Sequence, residues 1–540
     1  MKYPRKLSEE AKMLKKIGGA LVAFIFLTSL PLLGQKEEKT LSLEECVLKT
    51  VKNNFGLAVE ALAPEIADLS ATLASEKFMP ALSMNYNKQD TNSASYSFLD
   101  ASETVSTLQN DYTFQISQVI PTGGNFSLSL YSYMTDTNRR ATTINPRYGS
   151  TLRFSFSQPL LKDFGSKMSR REIVFAENNR DISEKNFRRV LENTIYTVEN
   201  AYWNFFYSIE NLKVRRQSLK LAQELLEKNR AEIEAGTLPP IEILTAQADV
   251  ATREADILEA EAMVKNSEDL LKTIINLSAE VENADAVRIV PTDSPSVIRQ
   301  DLSLEKALQL AMENRPELQA TRIDLQNKEL NLSYARNQLL PNLSLQASYW
   351  SPGVSGDQIL YEGGNALTGR IIGKIPGASS DALKDAFNFK YKNWSLAVTL
   401  SYPLSSLLSR AFHAQSKLSL DQARLKLKDQ EQQIFLEIKT AVRAVQTNYQ
   451  RVEAYRAARE LAQKKLEAEE EKFKVGLSTN YFILQYQRDM ASAQIMELKA
   501  IVDYNISIAN LNRVQGTGLE EQNIGIRNYV EERTEKIFGK

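Results

Sequence analysis

The sequence predicts an α+β membrane protein in which a transmembrane β-barrel, shared between chains, is continued by a long antiparallel α-helical coiled-coil barrel. Three observations predict this class. The chain of 540 residues repeats itself, short segments alternate apolar and polar residues, and two long stretches have the apolar spacing of packed helices. Because of the internal duplication, each element is predicted twice.

The N-terminus carries a targeting signal. Lys15 and Lys16 precede an apolar run at 17–33, which predicts a signal peptide over 1–34. Leu32 fits the small-residue cleavage rule poorly, so the cleavage site stays open. The run is shorter than the ~20 apolar residues of a spanning helix, which disfavours the alternative of an N-terminal membrane anchor. No later stretch reaches that length without charges, so membrane insertion would require a β-barrel.

The composition argues against several classes of function. The net charge of −1 gives no reason to expect a nucleic-acid partner. Cys46 is the one cysteine and His413 the one histidine, so an intrachain disulfide and a Cys/His zinc site are ruled out by count. A secreted hydrolase lacks its nucleophile–base set. We therefore expect no enzyme, no cofactor and no metal.

The duplication is visible residue by residue. The sequence LSLE at 41–44 recurs at 302–305, which is 261 residues later. Toward the C-terminus the offset shortens to 240 residues, pairing Gly236 with Gly476, because the first half has a longer insertion between its strands. The pattern predicts a first repeat over 35–277, a linker over 278–301, a second repeat over 302–516 and a C-terminal tail over 517–540.

Six short segments alternate apolar and polar residues with period two. Such a strand presents one apolar and one wet face, as in transmembrane barrels and also in an ordinary half-buried sheet. The export signal and the flanking aromatic residues favour the barrel. The segments are 82–86, 112–116, 126–130 and 152–156, within 80–160 of the first repeat, and 343–347 and 394–400, within 341–404 of the second.

The number of strands decides how such a barrel could close. Four to six strands per chain are fewer than the eight or so of the smallest bacterial barrels, and an open sheet edge is not tolerated in lipid. Several chains must therefore share one barrel. The polar stretches at 87–110 and 351–392 are predicted to be exposed loops.

Long helical hairpins are predicted over 171–277 and 405–516, each after the strands of its repeat. Apolar residues recur there at steps of three and four, and Gly236 and Gly476 divide each stretch into two antiparallel arms. Arms of about 50 to 65 residues would be roughly 75 to 100 Å long. The alternative is a periplasmic or surface-anchored structural coiled-coil interaction protein without a pore. It would explain the helices, but not the signal, the duplication and the strands together.

In combination these motifs resemble the TolC-like outer membrane efflux protein family, the outer membrane factors. The resemblance covers 41 to about 516 and rests on both LSLE motifs, on QPLLKDFG at 158–165, and on AGTL at 235–238 and VGLS at 475–478. It implies the outer-membrane exit duct of a tripartite efflux or type I secretion system, with a large periplasmic portion. The partners it implies are two further copies of the chain in a homotrimer, a periplasmic adaptor (membrane fusion) protein, an inner-membrane transporter and outer-membrane lipid. The exported substrate stays open.

The resemblance also implies contacts with the adaptor at the two hairpin tips. The residues that match are Gly236, Thr237, Leu238, Gly476, Leu477 and Ser478. Both glycines are explained equally well as helix-ending turns. Pro239 and Pro240 depart from the family pattern and stiffen the first tip.

A pore constriction is implied just beyond each tip, where the family often has an acidic residue six positions after the glycine. That position is Glu242 in the first repeat but Phe482 in the second, with Gln485 three positions further on. A ring of carboxylates around the pore would be formed by Glu242 alone, and it would favour the passage of cations. A hydrophobic constriction through Phe482 is the alternative, and Glu242 could equally be an ordinary solvated residue.

The first repeat departs from the second in its number of alternating strands. The pair around 122–124 is either an extra hairpin within the barrel or an extracellular one. With three chains, insertion of that pair would give a barrel of 18 strands, and exclusion would give about 12.

Overall fold

The computed structural model describes residues 37–96, 100, 103–140, 142–236, 239–281, 283–367 and 370–521. The predicted signal peptide at 1–34 lies outside these described residues, as does most of the predicted tail. Thr237 and Leu238, both predicted tip residues, also lie outside them.

The order of strands and helices follows the duplication. The strands are β1 Glu37–Leu41, β2 Ala81–Ala94, β3 Thr104–Val119, β4 Asn125–Thr137, β5 Ile144–Pro159, β6 Val287–Pro291, β7 Asn342–Tyr361, β8 Ile371–Ile375 and β9 Asn393–Ser401. The main helices are α1 Leu43–Asn53, α2 Phe55–Ser75, α3 Arg171–Glu234, α4 Ile241–Ile274, α5 Leu304–Asn314, α6 Pro316–Asn337, α7 Ser379–Phe387, α8 Leu407–Lys474 and α9 Asn480–Gln515.

The chain divides into two compact units, and each repeat contributes to both. Of the residues that the structure describes, the helical unit contains those within 37–58, 191–311 and 437–521. The sheet unit consists of Val59–Val190 and Met312–Leu436. None of the helices in the described ranges has the length and hydrophobicity that a membrane crossing demands.

The sheet unit contains an antiparallel sheet in the order β2-β3-β4-β5-β7. Beyond β7 the sheet continues at two levels. Residues 342–350 of β7 pair with β9, and residues 358–361 of β7 pair with β8. β8 and β9 thus follow β7 at different positions along its length. At either position the sheet is six strands wide.

The extra hairpin of the first repeat lies inside this sheet. β4 pairs with β3 on one side and with β5 on the other, so the hairpin separates two strands that would otherwise be neighbours. Its turn is closed by the Gly123 N–H, which donates to the Ile120 carbonyl at 2.9 Å. Gly123 has φ +89°, and a Cβ there would lie 2.5 Å from the Asp163 carbonyl oxygen. Only glycine fits here, because any other residue would be strained at this positive φ and its Cβ would clash with the Asp163 carbonyl oxygen.

All six alternating segments lie in strands, but the prediction of exposed loops at 87–110 and 351–392 is wrong for much of their length. β2 and β3 stay paired as far as Ala94 and Thr104, and the second stretch contains most of β7, β8 and α7. Alternation identifies a strand only where one face is apolar. Backbone pairing continues through polar residues because it needs only a neighbouring strand.

The helical hairpins have unequal arms. The outgoing helices α3 and α8 contain 64 and 68 residues, whereas the return helices α4 and α9 contain 34 and 36. The predicted arm length of about 50 to 65 residues is therefore wrong for the return arms. The spacing of apolar residues shows that a stretch is helical. It does not show where the helix ends, because that depends on the neighbouring elements against which the helix packs.

The repeated LSLE motif starts a helix in each repeat. The Ser42 hydroxyl accepts from the Glu45 N–H at 3.2 Å, and the Glu45 carboxylate accepts from the Ser42 N–H at 3.0 Å. This is a capping box, which satisfies two backbone donors at the start of α1. In the second repeat the Ser303 hydroxyl donates to Glu305 at 2.8 Å and accepts from the Lys306 N–H at 3.5 Å.

The predicted linker at 278–301 contains a strand, β6, that pairs in parallel with β1. After β6, the Asp293 carboxylate accepts from the Leu43 N–H at 2.6 Å and from the Tyr202 hydroxyl at 2.9 Å. Cys46 is buried in the same core, and burial raises the pKa of its thiol to about 12. The thiol therefore stays protonated and unreactive at neutral pH.

Glu280, also in the linker, binds side chains of α1 and β1 within the helical unit. Its carboxylate accepts from Lys49 Nζ at 2.5 Å, from Asn53 Nδ2 at 2.9 Å and from Lys39 Nζ at 3.3 Å. The hydrogen bond from Lys49 is the main reason that the pKa of Glu280 falls to about 2. A depressed carboxyl pKa contributes stability above the unfolded value of about 4.3, and that contribution is lost as the pH falls through the folded value.

We predict that Glu280→Gln lowers the free energy of unfolding by about 1–2 kcal/mol at pH 7, after allowance for solvent screening. The difference from wild type should shrink below about pH 4.3 and vanish near pH 2, measured by urea unfolding in detergent. Glu38→Gln is the matched control, because Glu38 pairs with Arg288 where both side chains are exposed. A Glu280→Gln deficit that persists at pH 2 would contradict the assignment.

Candidate functional site at the hairpin tips and the sheet faces

The first tip ends α3 with a glycine. Gly236 has φ +76°, and its N–H donates to the Ile233 carbonyl at 2.9 Å. No atom lies within 4 Å of the position a Cβ would take, so the backbone angle alone favours glycine here. Pro239 and Pro240 lead directly into α4, which starts at Ile241. A proline immediately before a helix removes an N–H that the helix leaves unpaired anyway.

The second tip has the same glycine conformation and an additional side-chain bond. Gly476 also has φ +76°, and the Leu477 N–H donates to the Lys472 carbonyl at 2.9 Å. The Ser478 hydroxyl donates to Glu469 Oε1 at 2.6 Å, and this bond holds the pKa of the Glu469 carboxyl below its usual value. Ser478 therefore fastens the turn, and Leu477, with 78% of its surface exposed, is the residue that the tip presents.

The predicted constriction residues have three different environments. Glu242 is half-buried in the first turn of α4, and Gln485 is exposed on α9. The Phe482 ring packs edge-on against Tyr481, with centroids 5.6 Å apart, and lies 6.2 Å from Tyr486. In the described part of one chain, no hydrogen bond or ring contact joins Glu242 to Phe482 or Gln485.

An apolar cluster joins the two hairpins behind the tips. Leu225 of α3 packs with Ile483 and Leu484 of α9, and Phe473 of α8 lies against them. The ammonium group of Lys228 lies 4.4 Å from the centre of the Phe473 ring. The exposed turns are therefore supported by a packed apolar cluster.

Sequence reasoning missed a buried ionic cluster further along the same helices. Asp249 and Arg253 of α4 are each only 4% exposed, and they pair at 2.8 Å. Arg488 of α9 pairs with the other oxygen of Asp249, also at 2.8 Å. Arg253 donates as well to the Ser218 carbonyl of α3 at 2.6 Å and to the Leu484 carbonyl of α9 at 3.3 Å. Burial lowers the pKa of Arg253, and Asp249 opposes that effect.

A signal for this cluster was present in the sequence. Asp249 and Arg253 are four residues apart on a predicted helix, which alone indicates an ordinary surface pair. Their positions continue the stripe of buried residues that includes Ala246 and Ala260. Two charges within an apolar stripe indicate a buried ion pair, but the contact with Arg488 depends on how the two hairpins pack.

One face of the sheet is apolar. Directly opposite residues on adjacent strands share a face, so the register defines cross-strand rows. One row consists of Met84, Phe114, Leu130 and Leu152, the next of Leu82, Ile116, Leu128, Phe154, Tyr349 and Trp394, and a third of Phe126, Phe156, Ala347 and Leu396. Such a face must be covered by lipid or by other apolar groups.

The other face is polar across the same strands. One row consists of Ser117, Ser127, Ser155, Ser348 and Ser395, and the next of Ser83, Gln115, Ser129, Arg153 and Trp350. The Arg153 guanidinium lies 4.8 Å from the centre of the Trp350 ring. The two faces have the apolar-out and polar-in composition of transmembrane barrel strands.

The family follows from the sequence as a whole. The sequence model described as outer membrane efflux protein matches residues 49–277 and 307–517. The chain belongs to the outer membrane efflux protein family. The predicted resemblance is confirmed, and the chain is an efflux protein of the outer membrane.

Solved structures share the fold of this outer membrane efflux protein. A membrane protein from Pseudomonas aeruginosa superposes with a TM-score of 0.63 at 18% identity, covering 88% of this chain and 90% of that one. The Campylobacter jejuni CmeC outer membrane channel gives 0.61 at 16% identity and 90% coverage of both chains. The Neisseria gonorrhoeae MtrE channel, in its open state, gives 0.59 at 18% identity, covering 88% and 89%. The search of curated proteins finds no match. The predicted α+β fold class is therefore confirmed.

The ionic cluster of this efflux protein gives a stability prediction. We expect Asp249→Asn to lower the free energy of unfolding by about 3–5 kcal/mol, because the buried Arg253 charge loses its partner. Urea unfolding of the detergent-purified protein, followed by helical circular dichroism, measures the change.

Asp489→Asn is the control, because Asp489 is an exposed residue next to Arg488 on the same helix. It should change the free energy of unfolding by less than about 0.5 kcal/mol. Equal effects of the two substitutions would show that the cluster does not stabilise the packing.

Proposed function

We propose that three copies of this chain form a passive exit duct in the outer membrane, in which 18 strands close one barrel. The observation that carries the proposal is the open sheet, six strands wide at either level, with one apolar and one polar face. A sheet edge in lipid would leave backbone groups unpaired at a cost of several kcal/mol each. Six strands cannot close a barrel, but three sheets of six can.

The two edges of the sheet suit this closure. β2 pairs only with β3, and β9 pairs only with β7, in the described part of the chain. Every step from β2 through β3, β4, β5 and β7 to β9 is antiparallel, so the two edge strands run in opposite directions. β2 of one copy therefore continues the antiparallel pattern of the sheet when it pairs with β9 of the next.

The helix α2 supports the same assembly. Exposed apolar side chains recur along it at steps of three and four, at Val59, Leu62, Ile66, Leu69 and Leu73. Its counterpart in the second repeat, α6, instead buries Leu318 and Ala320. A second copy of the chain is the occupant we propose for the α2 stripe, because the same assembly brings copies together at the sheet edges.

The helical hairpins form the periplasmic tunnel of the duct, and their tips dock onto a periplasmic adaptor and an inner-membrane transporter. Exposed Val475 and Leu477 at the second tip, and Ile241 and Leu244 beside the first, offer apolar contacts for that docking. Gly236, Thr237, Leu238, Gly476, Leu477 and Ser478 remain the proposed contact residues. The chain carries out no chemistry in this proposal, so the energy for export comes from the transporter.

The proposed constriction combines Glu242, Phe482 and Gln485. The exposed Phe482 ring, supported by Tyr481 and Tyr486, suits a hydrophobic narrowing. Three copies of Glu242 add a ring of carboxylates, which favours cations.

The assignment of the sheet faces predicts opposite effects of two neighbouring substitutions. Leu396 lies on the apolar face of β9 and Ala397 on the polar face. Leu396→Lys should cost about 2–4 kcal/mol in the membrane and reduce the amount of folded, heat-modifiable oligomer in outer membranes. Ala397→Lys should leave that amount near the wild-type level. The reverse order, or a soluble monomer for the wild type, would refute the shared barrel.

The constriction predicts a change in conductance. In planar bilayers Phe482→Ala should raise the single-channel conductance, because it removes a ring from the narrowest region. Leu461→Ala, at an exposed position on α8, is the control and should leave the conductance near wild type. Glu242→Gln should move the cation-to-anion permeability ratio toward one. An unchanged conductance for Phe482→Ala places the constriction elsewhere.

A further inference from the structure

The apolar face of the sheet carries a helix near one end. β9 begins at Asn393, opposite Trp350, whereas β7 runs on to Tyr361. Between β8 and β9, the helix α7 lies against β5 and β7. It lies in the half of the sheet away from the strand ends that connect to the long helices.

Small residues let α7 approach the sheet closely. Ser150 and Gly353 are opposite each other in the register, and a Cβ on Gly353 would lie 2.0 Å from the Ala382 carbonyl oxygen. Ala382 and Ala386 of α7 are fully buried. Just after the helix, the Phe389 ring stacks on Tyr349 with centroids 5.7 Å apart. Because Tyr349 and Gly353 belong to the apolar face, α7 is fixed on that face and not at the edge of the sheet.

The outward side of this segment is apolar, aromatic and basic. Phe387, Tyr391 and Trp394 are 51%, 52% and 74% exposed. Lys390 and Lys392 flank Tyr391 in the sequence, and the Lys390 ammonium pairs with Asp385 at 2.8 Å. Aromatic rings and lysines whose stems lie along apolar surface are typical of the membrane–water interface. Trp394 is also the last residue of one apolar row of the sheet.

A groove of about 460 Å³ separates the start of α7 from strands β3, β4 and β5. Its lining includes Tyr112, Ser132, Met134, Tyr148, Ser380 and Leu383. This volume falls within the roughly 300–1,000 Å³ of small-molecule sites. Tyr112, Ser132 and Tyr148 belong to the face that carries the apolar rows, so the groove is continuous with that surface.

We propose that residues 379–394 form an interfacial anchor on the lipid-facing surface of the barrel, and that the groove beside α7 holds an acyl chain of one phosphate-bearing lipid per chain. The inference rests on the proposed function, because it requires the apolar face to meet lipid. In this proposal the groove accepts the acyl chain. The exposed Lys392 and Lys384, which also pairs with Asp381 at 3.7 Å, are the proposed partners of the headgroup phosphate. The anchor then fixes the depth of the barrel in the outer leaflet.

Depth-dependent fluorescence quenching tests the anchor. The full-length protein carries one introduced cysteine, labelled with a polarity-sensitive fluorophore, in phosphatidylglycerol–phosphatidylcholine vesicles. The buried, protonated Cys46 leaves the introduced thiol as the reactive one. The three variants are Phe387→Cys on the anchor, Leu396→Cys on the apolar rows and Lys428→Cys on α8.

We expect a headgroup-linked quencher to quench Phe387→Cys more strongly than a quencher deep in the acyl chains does. Leu396→Cys should show the reverse order, and Lys428→Cys should be quenched by neither. If Leu396→Cys is quenched and Phe387→Cys is not, the proposed anchor is refuted and the proposed barrel is retained. If neither is quenched, the barrel and the anchor both fail.

Native mass spectrometry of the detergent-purified oligomer, after incubation with phosphatidylglycerol, tests the groove. Ser380→Trp places a bulky ring at an exposed position in the lining, and Lys428→Trp is the matched control on exposed α8 surface. We expect Ser380→Trp to retain one lipid fewer per chain than the control. Lys384→Glu/Lys392→Glu should weaken retention of phosphatidylglycerol several-fold more than Lys426→Glu/Lys428→Glu. Equal retention in both comparisons would overturn the lipid site.

Discussion

The backbone hydrogen bonds at the two edges of the sheet constrain everything else in this protein. A sheet that meets lipid on one face needs a partner for every N–H and C=O. In the described part of the chain, the outer sides of the edge strands β2, β8 and β9 lack a partner strand. In the proposed duct, neighbouring copies of the chain supply the missing partners. The channel would then be a property of several chains together.

The extra hairpin changes the dimensions of such an assembly. Barrel diameter grows roughly in proportion to strand number. Because β3 and β4 lie within the sheet, a trimer would have a wider barrel than one built from four strands per chain. The serine row on the polar face is compatible with a wide, wetted interior, since short hydroxyl side chains are solvated by water and do not fill space.

The helical hairpins are held differently at their turns and along their arms. The glycine conformation and the Ser478–Glu469 bond define the second turn locally. The packing of one hairpin against the other depends on Leu225, Ile483 and Leu484 and on the Asp249–Arg253–Arg488 cluster. Buried charges of this kind contribute little net stability, but they penalise any shift in helix register that separates them. The contacts behind the tips are thus more specific than an apolar seam alone would be.

The sequence by itself determined the duplication, the six alternating strand segments, the glycine tips and the family. Each follows from a local pattern: repeated motifs such as LSLE, period-two alternation as in 126–130, and an isolated glycine between long helices. Only the tertiary structure decided the length of the strands, the place of the β3–β4 hairpin inside the sheet, the pairing of β6 with β1 and the position of α7 on the apolar face. It also showed that Arg488 reaches Asp249 and that Ser478 fastens its own turn. The physical reason is the same in each case. Local sequence patterns indicate which side chains lie on the apolar face of a helix or strand. Strand pairing, ion pairing and small-residue contacts depend on partners that are distant in the chain.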